Sequence, residues 1–490
     1  MSEHSGTTRG ADRGHTLRGS IGVAGIVFLV VAAAAPLTAI GGALPVMLAI
    51  SNGPGVPMAF LVVAVVLLVF SVGYAAMSHH VVDAGAFYAY VTRGLGARLG
   101  LGAAALALLT YTAIQAAVYG LATTTLQAIV TQYGGPELPW WLLAVVLIAV
   151  VGLLGYRSID VGAKVLGVLL VLEIAIVAVL AGTILVKGGP EGYALTSFEP
   201  STFFQGGPGI AVMFAVASFV GFEATAIYGE EARDPRRTIP KATYIAVVLI
   251  GVFYAIASWA IVVAFGPSQV EAAAQADTAG LVFAAAAQYI GPAYADVMTI
   301  MLLTSLFAAL LSFHNAISRY LYALGRKGVA PEALARTHPR HGSPHVGSLT
   351  QTAATVVLLG VFALAGADPV LNLFTWMSGV ATVSVLVLMV LTGVAILVFF
   401  ARNEVDVRVW NTRIAPALGL VGLAFVTVLV LLNFTTLISG SAVLAAALLA
   451  VVAAAFVGGL VVAAVKHPSR TGGVPGHDLG AASEQALSEN

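Results

Sequence analysis

Apolar residues run through this chain in long blocks separated by short polar stretches. Twelve blocks reach the roughly 20 residues that a membrane-crossing helix needs. Their approximate bounds are 20–50, 56–78, 98–130, 138–156, 162–187, 208–229, 241–266, 295–323, 347–365, 370–400, 414–437 and 441–465. The blocks at 20–50, 98–130 and 295–323 exceed one span, which predicts tilt, a break or an interfacial extension. The polar start (1–19) and the Gly-, Ser- and charge-rich end (466–490) read as disordered tails. The first apolar block is too long for a cleaved signal peptide and reads as a retained span.

Charge orients these blocks. Alternating the loops between two sides puts 21 of the 22 Lys and Arg residues on the side of both tails, leaving only Lys187 opposite. A miscounted block would scramble that split. Cytoplasmic loops carry the Lys/Arg excess, so both termini are expected in the cytoplasm of a multi-pass plasma (inner) membrane protein.

Composition removes most other classes. Of 490 residues, 59% are hydrophobic and 9% charged, against roughly 25% charged in soluble proteins. A water-soluble enzyme is excluded, since so few charges cannot cover its surface. The net charge of +0 implies no nucleic-acid partner. Without cysteine there is no disulfide and no thiolate metal site. No Walker loop or H-E-x-x-H is present, and "GYRSID" lacks the strand–turn–helix setting of a nucleophile elbow. The expectation is no enzyme, no metal and no cofactor, with the lipid bilayer and a small molecule as partners.

Two blocks are interrupted. "APLTAIGGALP" (35–45) carries Pro36, Gly41, Gly42 and Pro45, and "SFVGFEA" (218–224) carries Gly221 and Glu223. Both sets are unfavourable within a helix buried in lipid. The blocks lie five apart, so they enter the membrane from opposite sides. That is the pattern of an inverted-repeat transporter whose site lies near the midplane. Unwound backbone there must line a cavity or be buried in protein. Its free N–H groups suit a carboxylate, and its free carbonyls suit an ammonium or a cation.

Four stretches then carry a family likeness: the interrupted "AIGGA", "DAGAFYAYVTRGLG" (83–96), "FVGFEATAIYGEEARDPRRTIPKA" (219–242) and "HNAISRYLYALGRKGVAPEALA" (314–335). On these the chain resembles the amino acid–polyamine–organocation permeases over essentially all twelve blocks. The resemblance implies an all-α membrane protein of twelve helices. Ten form a five-plus-five, LeuT-like inverted repeat with helices 1 and 6 broken, over 20–187 and 208–400. Two more helices follow over 414–465. It also implies secondary transport of an amino acid, proton-coupled as in many members. A polyamine or small-amine carrier or exchanger is the alternative, with a channel or sensor behind it.

The expected substrate pocket has Thr38, Ala39, Ile40, Gly41 and Gly42 on one side and Phe219, Val220, Gly221 and Phe222 on the other. By resemblance Glu223 occupies an acidic position used in proton sensing or gating. From the residues alone, a carboxyl held away from water is a candidate for proton exchange. Glu173, in mid-block without a basic neighbour, departs from members that place a Lys nearby; it is a candidate proton carrier or ammonium attractor. His314 reads as a satisfied interior histidine. The mixed-charge stretch Glu230, Glu231, Arg233, Asp234, Arg236 and Arg237 reads as a surface loop able to latch a gate.

Overall fold

The computed structural model describes residues 21–466, apart from 82–86, 158–162, 224, 226–231, 327, 340–341, 404 and 439–440. The described residues form helices. The first is α1 (Val23–Ala34), followed by a π-helical turn (Thr38–Ala43) and α2 (Leu44–Ile50). Next come α3 (Val56–Ser78), α4 (Phe87–Leu95), α5 (Ala97–Gln132), α6 (Trp140–Tyr156) and α7 (Ala163–Lys187). A one-turn α8 (Pro200–Phe203) leads to α9 (Pro208–Ser218) and α10 (Pro235–Phe265). Then follow α11 (Val270–Ala276), α12 (Leu281–Tyr289), α13 (Pro292–Arg326) and α14 (His345–Leu364). The last are α15 (Thr375–Arg402), α16 (Ala415–Leu437) and α17 (Ala442–Lys466).

Ten helices among the described residues are long and apolar enough to cross a membrane. They coincide with ten of the twelve predicted blocks. Among the described residues the other two blocks, 20–50 and 208–229, hold only shorter helices, and these are the two interrupted at Pro36–Pro45 and at Gly221–Glu223. At 1.5 Å per residue the 36 residues of α5 and 35 of α13 measure roughly 54 and 52 Å, well beyond a 30 Å hydrocarbon core. Their excess length is accommodated without a break.

Four helices were not foreseen. α4, α8, α11 and α12 are 9, 4, 7 and 9 residues long, too short for a search based on spans. α10 also begins earlier than predicted: Pro235 opens it, so Arg236 and Arg237 stand on its first turn rather than in a loop. Arg237 pairs with Asp234 at 3.8 Å. Glu230 and Glu231 lie outside the described residues.

α5 is the central helix, with 78% of its span window buried against only 17% for α17. It packs on α4, α6, α13, α15 and α17. Close approach needs glycine at the contacts. A Cβ on Gly120 of α5 would strike the Pro369 carbonyl at the turn before α15. α10 lies along α3 and also contacts α1 and α7, so it braces the first interrupted segment from outside.

The link between α15 and α16 holds a tight ion pair. Asp406 accepts from Arg408 Nη2 at 2.6 Å and from its Nε at 3.0 and 3.1 Å. The Arg408 hydrogen bonds pull the Asp406 carboxyl down to about 2, below its ordinary value near 4. The pair therefore stabilises the fold above about pH 4 and loses that contribution as pH falls toward 2. Asp406→Asn should lower the melting temperature in detergent at pH 6, with the difference from the wild type shrinking below pH 4. A difference that grows on acidification would contradict this assignment.

Candidate functional site

The first interruption, expected as unwound backbone, is a kink followed by a wide turn. α1 stops at Ala34 because Pro36 disfavours helical backbone at the residue before it. Ala35 turns left-handed at φ 45°, its N–H returning to the Ala32 carbonyl. The chain then winds through the π-helical turn into α2, where Pro45 sits in the first turn. The kink leaves the Ala34 carbonyl without its helical donor. Tyr254 of α10 supplies one, its hydroxyl donating at 2.9 Å. Tyr254→Phe would orphan this buried carbonyl at a cost of about 1–3 kcal/mol, read as a lower melting temperature in detergent. An unchanged value would mean that the carbonyl finds another donor.

The second interruption follows α9. Residues 219–223 form consecutive turns, with Phe219, Val220 and Phe222 N–H groups donating to carbonyls three residues back. Gly221 has φ 111°, a region that side chains strain to adopt. This conformation lets the Gly221 N–H donate to Glu223 Oε2 at 2.9 Å. Tyr111 of α5 donates to Glu223 Oε1 at 2.7 Å, and Tyr74 of α3 donates to the Glu223 carbonyl at 3.0 Å. The buried carboxyl is thus clamped between its own turn and α5, while α3 holds the backbone of the same residue. The flanks of the two interrupted segments also touch: Ala232 pairs with Ile21, and the Arg233 N–H donates to the Ile21 carbonyl at 3.0 Å.

Glu173, on α7, is buried against the first interruption. Ser305 of α13 donates to its Oε2 at 2.7 Å, and the Leu37 backbone N–H is a further donor. The Ser305 hydroxyl also lies 3.1 Å from Thr38 Oγ1. A hydrogen-bonded chain therefore runs Thr38–Ser305–Glu173, joining the Thr38 hydroxyl to the carboxyl through one relay.

Between the interruptions lies a cavity of about 490 Å³, its open mouth included. Of the nine predicted pocket residues, Thr38, Ala39 and Val220 line it. The other six lie nearby but serve the walls. Ile40 and Gly41 are buried, and Gly42 makes room for Leu121. Phe219 meets the Tyr254 ring at 6.2 Å, Phe222 meets Phe70 at 6.5 Å, and Gly221 holds Glu223. Sequence reasoning missed the rest of the lining. It includes Ala34 and Ala35 at the kink, Phe214 of α9, Phe313 of α13, and Phe374 and Ser378 at the start of α15. Phe214 and Phe374 stack with centroids 5.5 Å apart. Among the described residues no charged side chain lines the cavity.

His314 stands apart from this site. It is buried, and its Nε2 lies 2.8 Å from Ser348 Oγ, which agrees with a satisfied interior histidine. No group of three or more His, Asp or Glu suited to a metal is found among the described residues.

The amino acid permease family matches residues 33–470. The low-affinity putrescine importer PlaP of Escherichia coli is 25% identical over 324 residues, covering 63% of this chain and 66% of that protein, just under two thirds of its length. The branched-chain amino acid permease BcaP of Lactococcus lactis is 27% identical over 327 residues, 63% of this chain and 69% of that protein. The aromatic amino acid transport protein AroP of Escherichia coli is 28% identical over 218 residues, 43% of this chain and 46% of that protein. The chain, a multi-pass membrane protein by its helices, belongs to the amino acid permease family.

Proposed function

We propose that this protein is a secondary active transporter that imports an amino acid across the plasma membrane by alternating access, coupled to protons. In this reading 20–50 and 208–229 are the first helices of two inverted five-helix units, and both termini are cytoplasmic. The observation that carries the proposal is the cavity flanked by both interruptions and connected to a buried carboxyl through Thr38 and Ser305. Kinked backbone beside a cavity can receive the charged ends of a zwitterion. A carboxyl one relay away can register whether the cavity is filled. The contact between Ile21 and Ala232–Arg233 would tie the two segments together on the cytoplasmic side, the place for a gate latch.

The second reading is a polyamine or small-amine carrier. It is supported by the likeness to a putrescine importer and by the two buried carboxyls, Glu173 and Glu223. Uptake into proteoliposomes separates the two readings. Amino acids and putrescine are offered under separate pH and sodium gradients. Amino acid accumulation under the pH gradient is expected; accumulation of putrescine alone favours the second reading, and accumulation of neither defeats both.

A further inference from the structure

Three hydroxyl-bearing side chains line the cavity, and two have partners. Thr38 faces Ser305, and Ser218 donates to the Phe214 carbonyl at 2.9 Å. Ser378 is fully buried, and its Oγ has no hydrogen-bond partner. Ser71 and Ser384, also buried without a partner in apolar helices, do not line the cavity. Ser218, Ser258, Ser318 and Thr392 all donate to the carbonyl four residues back, the usual resting place for such a hydroxyl. Ser378 leaves the Phe374 carbonyl alone and lines the cavity instead. A buried polar atom without a partner is rare and calls for one.

The walls around Ser378 define what could supply it. Phe374, one turn earlier, stacks on Phe214. Thr382, one turn later, donates to the Met213 carbonyl at 3.1 Å and fixes α15 against α9. Ser378 therefore stands on the α9–α15 side, whereas Thr38 and Ser305 join the kinked segment to α13. A diamine would bring a second ammonium into a chamber without a charged side chain. Glu173 and Glu223 do not line it, and each already accepts from neighbours. Burying an unpaired charge is far more costly than burying a hydroxyl.

We propose that Ser378 is a specificity-determining residue, and that the substrate is an amino acid whose uncharged side chain presents a hydroxyl to Ser378 from within the aromatic chamber. This rests on the transport reading above. The full-length protein in proteoliposomes is given matched pairs, L-tyrosine with L-phenylalanine and L-threonine with L-valine. In whichever pair is carried, the hydroxylated member should have the lower KM by about three- to tenfold, the worth of one net hydrogen bond. Ser378→Ala should bring that ratio to about one. Removing an unpartnered hydroxyl does not disturb the packing, and because the ratio is internal to each protein, differences in folded yield cancel. A ratio unchanged by Ser378→Ala overturns the inference, as does an equal loss for both members, which would put the hydroxyl on their shared amino acid group. Accumulation of putrescine with none of the amino acids overturns it as well. If no compound accumulates under any gradient, the transport reading itself has failed, and this inference falls with it.

Discussion

Glu223→Gln should abolish accumulation driven by a pH gradient while leaving exchange of substrate across the membrane in place. The carboxyl accepts from the Gly221 N–H and the Tyr111 hydroxyl. A glutamine can keep the first bond through its amide oxygen. Its NH2 group then faces Tyr111, whose hydroxyl can rotate to accept. The turn at 219–223 survives, and what is lost is the ability to release a proton. The variant is therefore fixed in a neutral form, and steady-state accumulation should fall at least roughly tenfold, equivalent to about 1.4 kcal/mol of coupling. Accumulation with wild-type pH dependence would remove Glu223 from coupling and leave it as a brace for the turn.

Glu173→Gln should act at the other end of the site. Ser305 can still donate to the amide oxygen, so the helix contact persists, but the Thr38–Ser305 chain then ends on a group that cannot ionise. Substrate-induced proton uptake, followed with a pH-sensitive dye in proteoliposomes, should drop to background. Ser305→Ala should weaken the same signal by cutting the chain while Glu173 remains. A full dye signal in both variants would assign Glu173 a structural role between α7 and α13.

The sequence revealed the two carboxyls because a charged group in an apolar span is conspicuous. It also revealed the interruptions, since Pro36, Gly221 and their neighbours oppose regular helix. The partners of those groups were not legible. Tyr111, Tyr74 and Ser305 are ordinary residues in ordinary spans, and only the packing of α3, α5 and α13 makes them donors. The cavity lining was hidden for a related reason. Helices that are apolar all round give no sign of which face meets lipid and which meets a cavity, so nothing in the sequence singled out Phe214, Phe313 or Phe374. The glycines misled in the other direction. Gly41 and Gly42 suggested exposed backbone, but Gly41 is buried and Gly42 accommodates Leu121 within the wall. The four short helices α4, α8, α11 and α12 escaped because none fills a membrane-length window.

The most direct test of the central claim is accumulation of a radiolabelled amino acid against its own concentration gradient. The purified protein is reconstituted in vesicles with an inwardly directed pH gradient and no sodium. The account predicts internal amino acid well above the external level, collapsing when a protonophore dissipates the gradient. Uptake that only equilibrates, or accumulation that needs sodium and ignores the protonophore, would contradict proton-coupled transport through this site.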